Sequence, residues 1–222
     1  MAKKENVKVE IPAMNIQYCK VRVVGDSPFI CHAWSEKARK EMWNKQQKKA
    51  TAGKEIRYPH IEFVDCLYWF TEKPNLKNLT DEQAQEVLAE VIPQSKFGFP
   101  SAAFKAAAIV GAFQQGALAQ RAGGADLAKT TARGAFFVIN EFSEIEGTPT
   151  LREDMARIPR GGSQIVFRAE FKKWAATLNI KYNANAISLE QIVNLLNIGG
   201  FSNGIGDWRP EKNGTFGTFH VE

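Results

Sequence analysis

The chain has 222 residues, 44% of them hydrophobic and 24% charged, which excludes a disordered or collagen-like polymer and fits one sizeable globular domain with insertions, or two small ones. With 29 Lys and Arg against 24 Asp and Glu, the formal net charge of +5 permits a polyanionic partner without requiring one. No apolar run reaches transmembrane length and the opening Met1-Ala2-Lys3-Lys4-Glu5 leads into no signal-type segment, so a soluble, cytoplasmic chain with no membrane partner is expected.

Residues 1–15 read as a polar N-terminal arm, and 16–222 as a single domain. From Gln17 to Val24 the pattern alternates, with Cys19, Val21 and Val23 on one face and Tyr18, Lys20 and Arg22 on the other, which predicts a strand with a basic, aromatic open side. After the Gly25–Pro28 break, Ser35 caps a predicted helix to about Lys49, with Trp34, Ala38 and Met42 as its inward stripe. Eight basic residues against two acids fall between Lys37 and Arg57, and a loop is expected over 51–61. Glu62 to Thr71, rich in β-branched and aromatic residues, predicts a buried strand.

Thr80 and Gln83 form a capping-box pattern ahead of Ala84, Val87, Leu88, Val91 and Ile92. Phe97-Gly98-Phe99-Pro100 delivers the chain to a second helix, Ser101 to about Phe113. Two loop insertions are expected, at about 114–133 and 141–165, on either side of a short strand Ala135–Asn140. The second insertion carries Arg152, Arg157 and Arg160. Ala169 to Tyr182 predicts a strand with Trp174, Ala176, Leu178, Ile180 and Tyr182 on one face and Thr177, Asn179 and Lys181 on the other. Ser188 and Gln191 start a last helix that Gly199-Gly200 is expected to stop.

A glycine-rich hairpin should close the chain. In it Gly204, Gly206, Gly214 and Gly217 bracket Trp208, Arg209 and Lys212. Glycines let a backbone come close to a ligand, and cations beside an aromatic ring suit a polyanion with stackable bases. The expected fold is α+β, an antiparallel sheet in a ferredoxin-like split βαβ (RRM-like) arrangement, with helices on one face and long loop insertions.

Catalytic chemistry finds little footing. Cys19, Cys31 and Cys66 have no CxxC spacing and read as reduced thiols. Asp65, Asp126 and Asp154 lack metal-ligand spacing, no Walker loop is present, and no cofactor or metal is expected. His32 lies in an apolar stretch with no partner that the sequence can name, so it reads as a half-buried structural histidine and a non-enzymatic protein is expected.

Three segments together resemble the RAMP superfamily, the ferredoxin-like backbone and processing subunits of CRISPR effector complexes. Phe99-Pro100-Ser101-Ala102-Ala103-Phe104-Lys105 looks like the family's helix start. Met155 to Gly162 with the following Phe167 to Phe171 looks like its arginine-bearing loop and strand, and Gly204 to Val221 like its C-terminal glycine loop and final strand. The pattern is also similar to proteins of phage and prophage genomes, where a host cytoplasm would be the setting.

The resemblance implies a binder of single-stranded RNA or DNA that assembles as a repeating homo-oligomer or filament along the strand, or within a larger ribonucleoprotein. Ser101 and Lys105 at a helix start would then meet phosphates, as would Arg157 and Arg160. The family's ribonucleases place a His near His32, which keeps an endoribonuclease open. The exposed aromatics and long loops would equally suit a phage structural or assembly protein, and the ligand would suit a single-strand annealing protein.

Overall fold

The computed structural model describes residues 13–49, 57–118, 128–158 and 162–222. The first expected strand is β1 (Ile16–Gly25), with Val21 and Val23 buried and Tyr18, Lys20 and Arg22 exposed. β2 (Phe29–Cys31) follows, wholly buried. Ser35 does cap α1 (Glu36–Gln46), its Oγ accepting from the Ala38 N–H at 3.1 Å. No residue of α1 is buried, however, and Trp34, Met42 and Trp43 are exposed, so the expected inward stripe faces outward. Residues 50–56, most of the next expected loop, lie outside the described residues.

The strand expected over Glu62–Thr71 is instead α2 (Pro59–Asp65) followed by β3 (Tyr68–Trp69). Pro59 explains the difference: at the first helical position its preset φ suits the helix and its missing N–H leaves nothing unpaired. A short apolar run fits either period, and here Phe63 and Val64 bury from a helix. α3 (Asp81–Val91) begins on the expected capping box of Thr80 and Gln83. β4 (Phe97–Pro100) then feeds α4 (Ser101–Gln114).

Of the 114–133 insertion, residues 119–127 lie outside the described residues, and its end belongs to α5 (Lys129–Ala135), which runs into β5 (Phe136–Val138). The 141–165 segment is not a loop. It forms β6 (Phe142–Glu146), β7 (Pro149–Ile158) and the start of β8 (Gly162–Phe171), and β7 and β8 pair as a hairpin with Met155 opposite Ile165. A hairpin exposed along much of its length has little apolar alternation, which is why its sequence reads as loop.

The strand expected from Ala169 is broken at Lys172-Lys173, and its second part is β9 (Ala175–Asn183). α6 (Leu189–Ser202) starts on the Ser188–Gln191 capping box, and β10 (Phe219–Val221) ends the chain. The closing segment is therefore an irregular loop with one short strand rather than a hairpin.

All described strand pairings are antiparallel. The larger sheet runs β10-β1-β9-β6-β4-β3, and β5 pairs with β9 beyond β6. Within it β1, α4, β5 with β6, β9, α6 and β10 reproduce the strand-helix-strand-strand-helix-strand order of a ferredoxin-like fold. Ile139, Asn140 and Glu141 separate β5 from β6, so the two share one edge of β9. Between β1 and α4 the chain inserts β2, the first three helices, β3 and β4. The β7–β8 hairpin, with β2, makes a second sheet of order β2-β8-β7.

The core lies between the sheet and the α4–α6 pair: Val21, Val23, Leu178 and Ile180 meet Phe104, Ala107, Ala108, Ile192 and Leu196. Gly199 and Gly200 do not stop α6, which continues to Ser202. A Cβ at Gly199 would fall 2.5 Å from the Ala107 carbonyl and the Ala108 Cα, and one at Gly111 2.8 Å from Gly199 Cα. These glycines are there for helix contact. Gly199→Ala is therefore expected to destabilise the protein by about 2 kcal/mol or more through overpacking. Gly134→Ala in α5, where a Cβ meets nothing within 4 Å, should be neutral or stabilising by up to about 1 kcal/mol. Urea midpoints of both variants against wild type check this.

Candidate nucleic-acid interface

Most of the sequence-predicted residues fall in two places. The first is the face of the large sheet opposite α4 and α6. Residues directly opposite in neighbouring strands share a face, and the register sets Tyr18 of β1 opposite Lys181 of β9, and Lys181 opposite Phe137 of β5. Tyr18 is 65% exposed and Phe137 48%. Lys181 Nζ lies 5.9 Å from the Tyr18 ring centroid. Lys20 is exposed one step along β1 and has no ion pair among the described residues.

Lys105 comes to the same place from α4. Its Nζ sits 3.9 Å over the Phe137 ring and donates to the Arg133 carbonyl at 2.7 Å. Burial, and then the nearby Arg133 charge, push its pKa below the ordinary lysine value. Lys105 thus stands at the sheet edge, away from the helix-start role that the resemblance implied. Ser101 is 1% exposed, its Oγ bonded to Ser143 Oγ at 2.7 Å and its N–H to the Glu141 carbonyl. No phosphate can reach its side chain. Arg22 is spent as well: it donates to Glu146 at 2.5 Å and Glu222 at 2.7 Å, which raise its pKa.

The second place is the loop from Gly204 to Gly217. It closes on itself, the Ile205 N–H donating to the Gly217 carbonyl at 2.9 Å and the Phe216 N–H to the Trp208 carbonyl at 3.1 Å. A Cβ at Gly214 would lie 1.6 Å from the Trp208 oxygen, and one at Gly217 1.9 Å from the Ile205 oxygen. These two glycines admit the loop's own backbone and are not needed to admit a ligand.

Trp208, expected as a free stacking ring, is taken up internally. It lies 6.2 Å from Phe216, with the guanidinium groups of Arg168 and Arg152 at 5.3 and 5.7 Å. Arg209 is held by Glu211 and the Gly206 carbonyl. Lys212 is exposed.

His32 does have a partner. Its Nδ1 is 3.0 Å from Asp207 Oδ2, which also accepts from Arg168 Nε at 2.8 Å. Burial works to raise the Asp207 pKa, but the bonds from His32 and Arg168 outweigh it, and the carboxyl sits below its ordinary value. Gly204, Gly206, His32 and Asp207 line a cleft of about 300 Å³ together with Ala103 and Ala106 of α4. A histidine that a carboxylate orients at a cleft can move a proton.

Arg157 is exposed on β7, in the smaller sheet, and Arg160 lies outside the described residues. Cys19, Cys31 and Cys66 are free thiols, and burial pushes Cys66 up to about 12. Among the described residues no cluster of His, Cys, Asp and Glu is placed to hold a metal, and no helix is long and apolar enough to cross a membrane. Sequence reasoning missed Lys181 and Phe137 as site residues. Their alternation is visible in the sequence, but the register that aligns them with Tyr18 is not.

No protein-family model matches the sequence, and no curated protein matches it either. Among solved structures, the crystal structure of Cmr6 from Pyrococcus furiosus matches at a TM-score of 0.43 and 10% identity, over 95% of this chain and 100% of that one.

The lowered Asp207 pKa has a definite sign in stability. A depressed carboxyl stabilises the fold above its unfolded pKa, and that contribution fades as pH falls through the folded value. Asp207→Asn keeps an acceptor oxygen but removes the charge that Arg168 and His32 face, and should cost about 1–3 kcal/mol near neutrality. The gap to wild type should shrink steadily below the ordinary carboxylate range, which urea midpoints from pH 7 to pH 3 would show.

Proposed function

We propose that this chain binds single-stranded RNA or DNA on the open face of its larger sheet and does not cleave it. The row Tyr18–Lys181–Phe137, with Lys20 and Lys105 at its sides, carries the reading. Two exposed rings on strands two positions apart stand about 10 Å from each other, given the inter-strand spacing. Unpaired bases stack on such rings whatever their sequence, and the three lysines meet the phosphates between them. A buried helix pair on one side and an exposed aromatic, cationic face on the other suit this ligand better than a small molecule. On a long strand, successive copies are expected to line up as repeating units of a nucleoprotein assembly.

A second reading is the endoribonuclease. The His32–Asp207 contact beside the cleft favours it, because an oriented imidazole could deprotonate a 2′-hydroxyl. Incubation of labelled single-stranded and hairpin RNA decides between the two. Intact RNA supports binding alone, and scission abolished by His32→Ala establishes the nuclease.

Binding itself is tested by fluorescence anisotropy with RNA and DNA oligonucleotides across a salt series. Tyr18→Ala or Phe137→Ala should cost about 1–3 kcal/mol at every salt concentration, with the salt slope unchanged. Lys181→Ala or Lys20→Ala should flatten the slope of log affinity against log salt by about 0.7 each. No binding of either oligonucleotide at low salt would overturn the proposal.

A further inference from the structure

The β7–β8 hairpin offers a surface that nucleic-acid binding leaves unexplained. β7 is ten residues long and forms the outer edge of the smaller sheet, with no strand beyond it among the described residues. Edge strands of this length are ordinarily blunted by lysines, prolines or a covering element, because their free N–H and C=O groups template pairing with another chain. β7 has Pro149 at its start and charged side chains along its length, but it has no lysine, and among the described residues no strand pairs with its outer edge.

Its two faces differ. On one, Arg152 and Asp154 are tied into their own sheet: Arg152 pairs with Asp154 at 2.9 Å and with Glu170 at 2.7 Å. On the other, Leu151, Glu153, Met155 and Arg157 alternate outward. Leu151 is 40% exposed and Met155 66%, while Ile165, opposite Met155 on β8, is 52% exposed. Glu153 and Arg157 form no ion pair among the described residues.

We infer that β7 pairs antiparallel with β7 of a second copy about a two-fold axis through Met155, joining the two small sheets into one. The axis follows from charge and parity. Opposed residues in an antiparallel pair must share a face, so a two-fold between identical strands passes through a residue. An axis at Glu153 sets two like carboxylates against each other, and one at Asp154 does the same with that aspartate. An axis at Ala156 sets Met155 against Arg157. Only the axis at Met155 places each Glu153 opposite Arg157 of the other copy, twice over. It also lays Ile165, Met155 and their two counterparts in one apolar row across the junction.

The pairing surface and the Tyr18–Lys181–Phe137 row lie on different sheets, so the inference is independent of the proposed binding function, and Tyr18→Ala should leave the dimer intact. Sedimentation equilibrium of the full chain without nucleic acid is the test. Wild type should sediment as a dimer at micromolar concentration. Glu153→Arg and Arg157→Glu should each raise the dimer dissociation constant about tenfold, since each turns two cross-strand attractions into repulsions. The double variant E153R/R157E restores both pairs and should return to within a few-fold of wild type. Met155→Lys, at an exposed position that folding does not need, should give monomers. A wild type that stays monomeric, a dimer indifferent to these changes, or a double variant no better than the single ones overturns the inference.

Discussion

Two helices can share one face of a sheet only if their backbones come close, and in this protein that closeness rests on four small residues. Gly111 and Gly199 leave room at the crossing, and Ala107 and Ala108 fill it with backbone-level contact. Gly200 extends the same device to the sheet, where a Cβ would lie 2.0 Å from the Phe219 oxygen. Because α4 and α6 cover one side together, the other side of β1 and β9 needs no helix. An antiparallel sheet tolerates one solvated face, and that freedom is what allows Tyr18 and Phe137 to stand in water.

Charge sharpens where on that face a ligand can sit. Many of the chain's cations are paired at home: Arg22 with Glu146 and Glu222, Lys96 with Glu144, Arg152 and Arg168 with acids of the second sheet and the glycine loop. Such pairs add little stability where they are exposed, yet they cancel the local field beyond about 8–10 Å in physiological salt. The Arg22 end of β1 is therefore close to neutral. The Tyr18 end, with Lys20, Lys181 and Lys105, holds cations that no carboxylate answers among the described residues. A modest net charge of +5 understates the potential there, because the compensating acids sit at the other end of the strand.

Local chemistry was legible in the sequence and long-range pairing was not. Both capping boxes, the Ser35 cap and the two-faced pattern of β1 depend on residues within a few positions, and each stands where the pattern puts it. The six-element core order also follows from the element list. Misreadings arise where tertiary context chooses between equal local options. The apolar run after Glu62 becomes helix because Pro59 precedes it. Gly199-Gly200 reads as a helix stop because their real partners, Ala107 and Phe219, are unmarked in sequence. β7 and β8 stay hidden because the covered face of the hairpin is built from paired charges, Arg152, Asp154, Arg168 and Glu170, and so lacks the apolar alternation that betrays a strand. The site suffers most: His32 and Asp207 are 175 residues apart, and nothing near either one announces the other.

The glycine loop and the open face answer a ligand differently. Trp208 holds a left-handed backbone at φ 53°, a conformation that a bulky residue keeps only where its surroundings over-determine it. Here they do: the Phe216 N–H on its carbonyl, Gly214 against its oxygen, and two guanidinium groups over its ring all fix the same geometry. Such a loop is a preformed wall, and a group entering the cleft beside it meets backbone already ordered. Tyr18 and Lys20 are the opposite case, exposed side chains that lose rotamer freedom on contact, at about 0.5–1.5 kcal/mol each. A long, repetitive ligand tolerates that loss because each further base and phosphate adds its own contact. For the ligand proposed above, the adaptable grip would fall to the sheet, while the loop presents backbone whose geometry is already fixed.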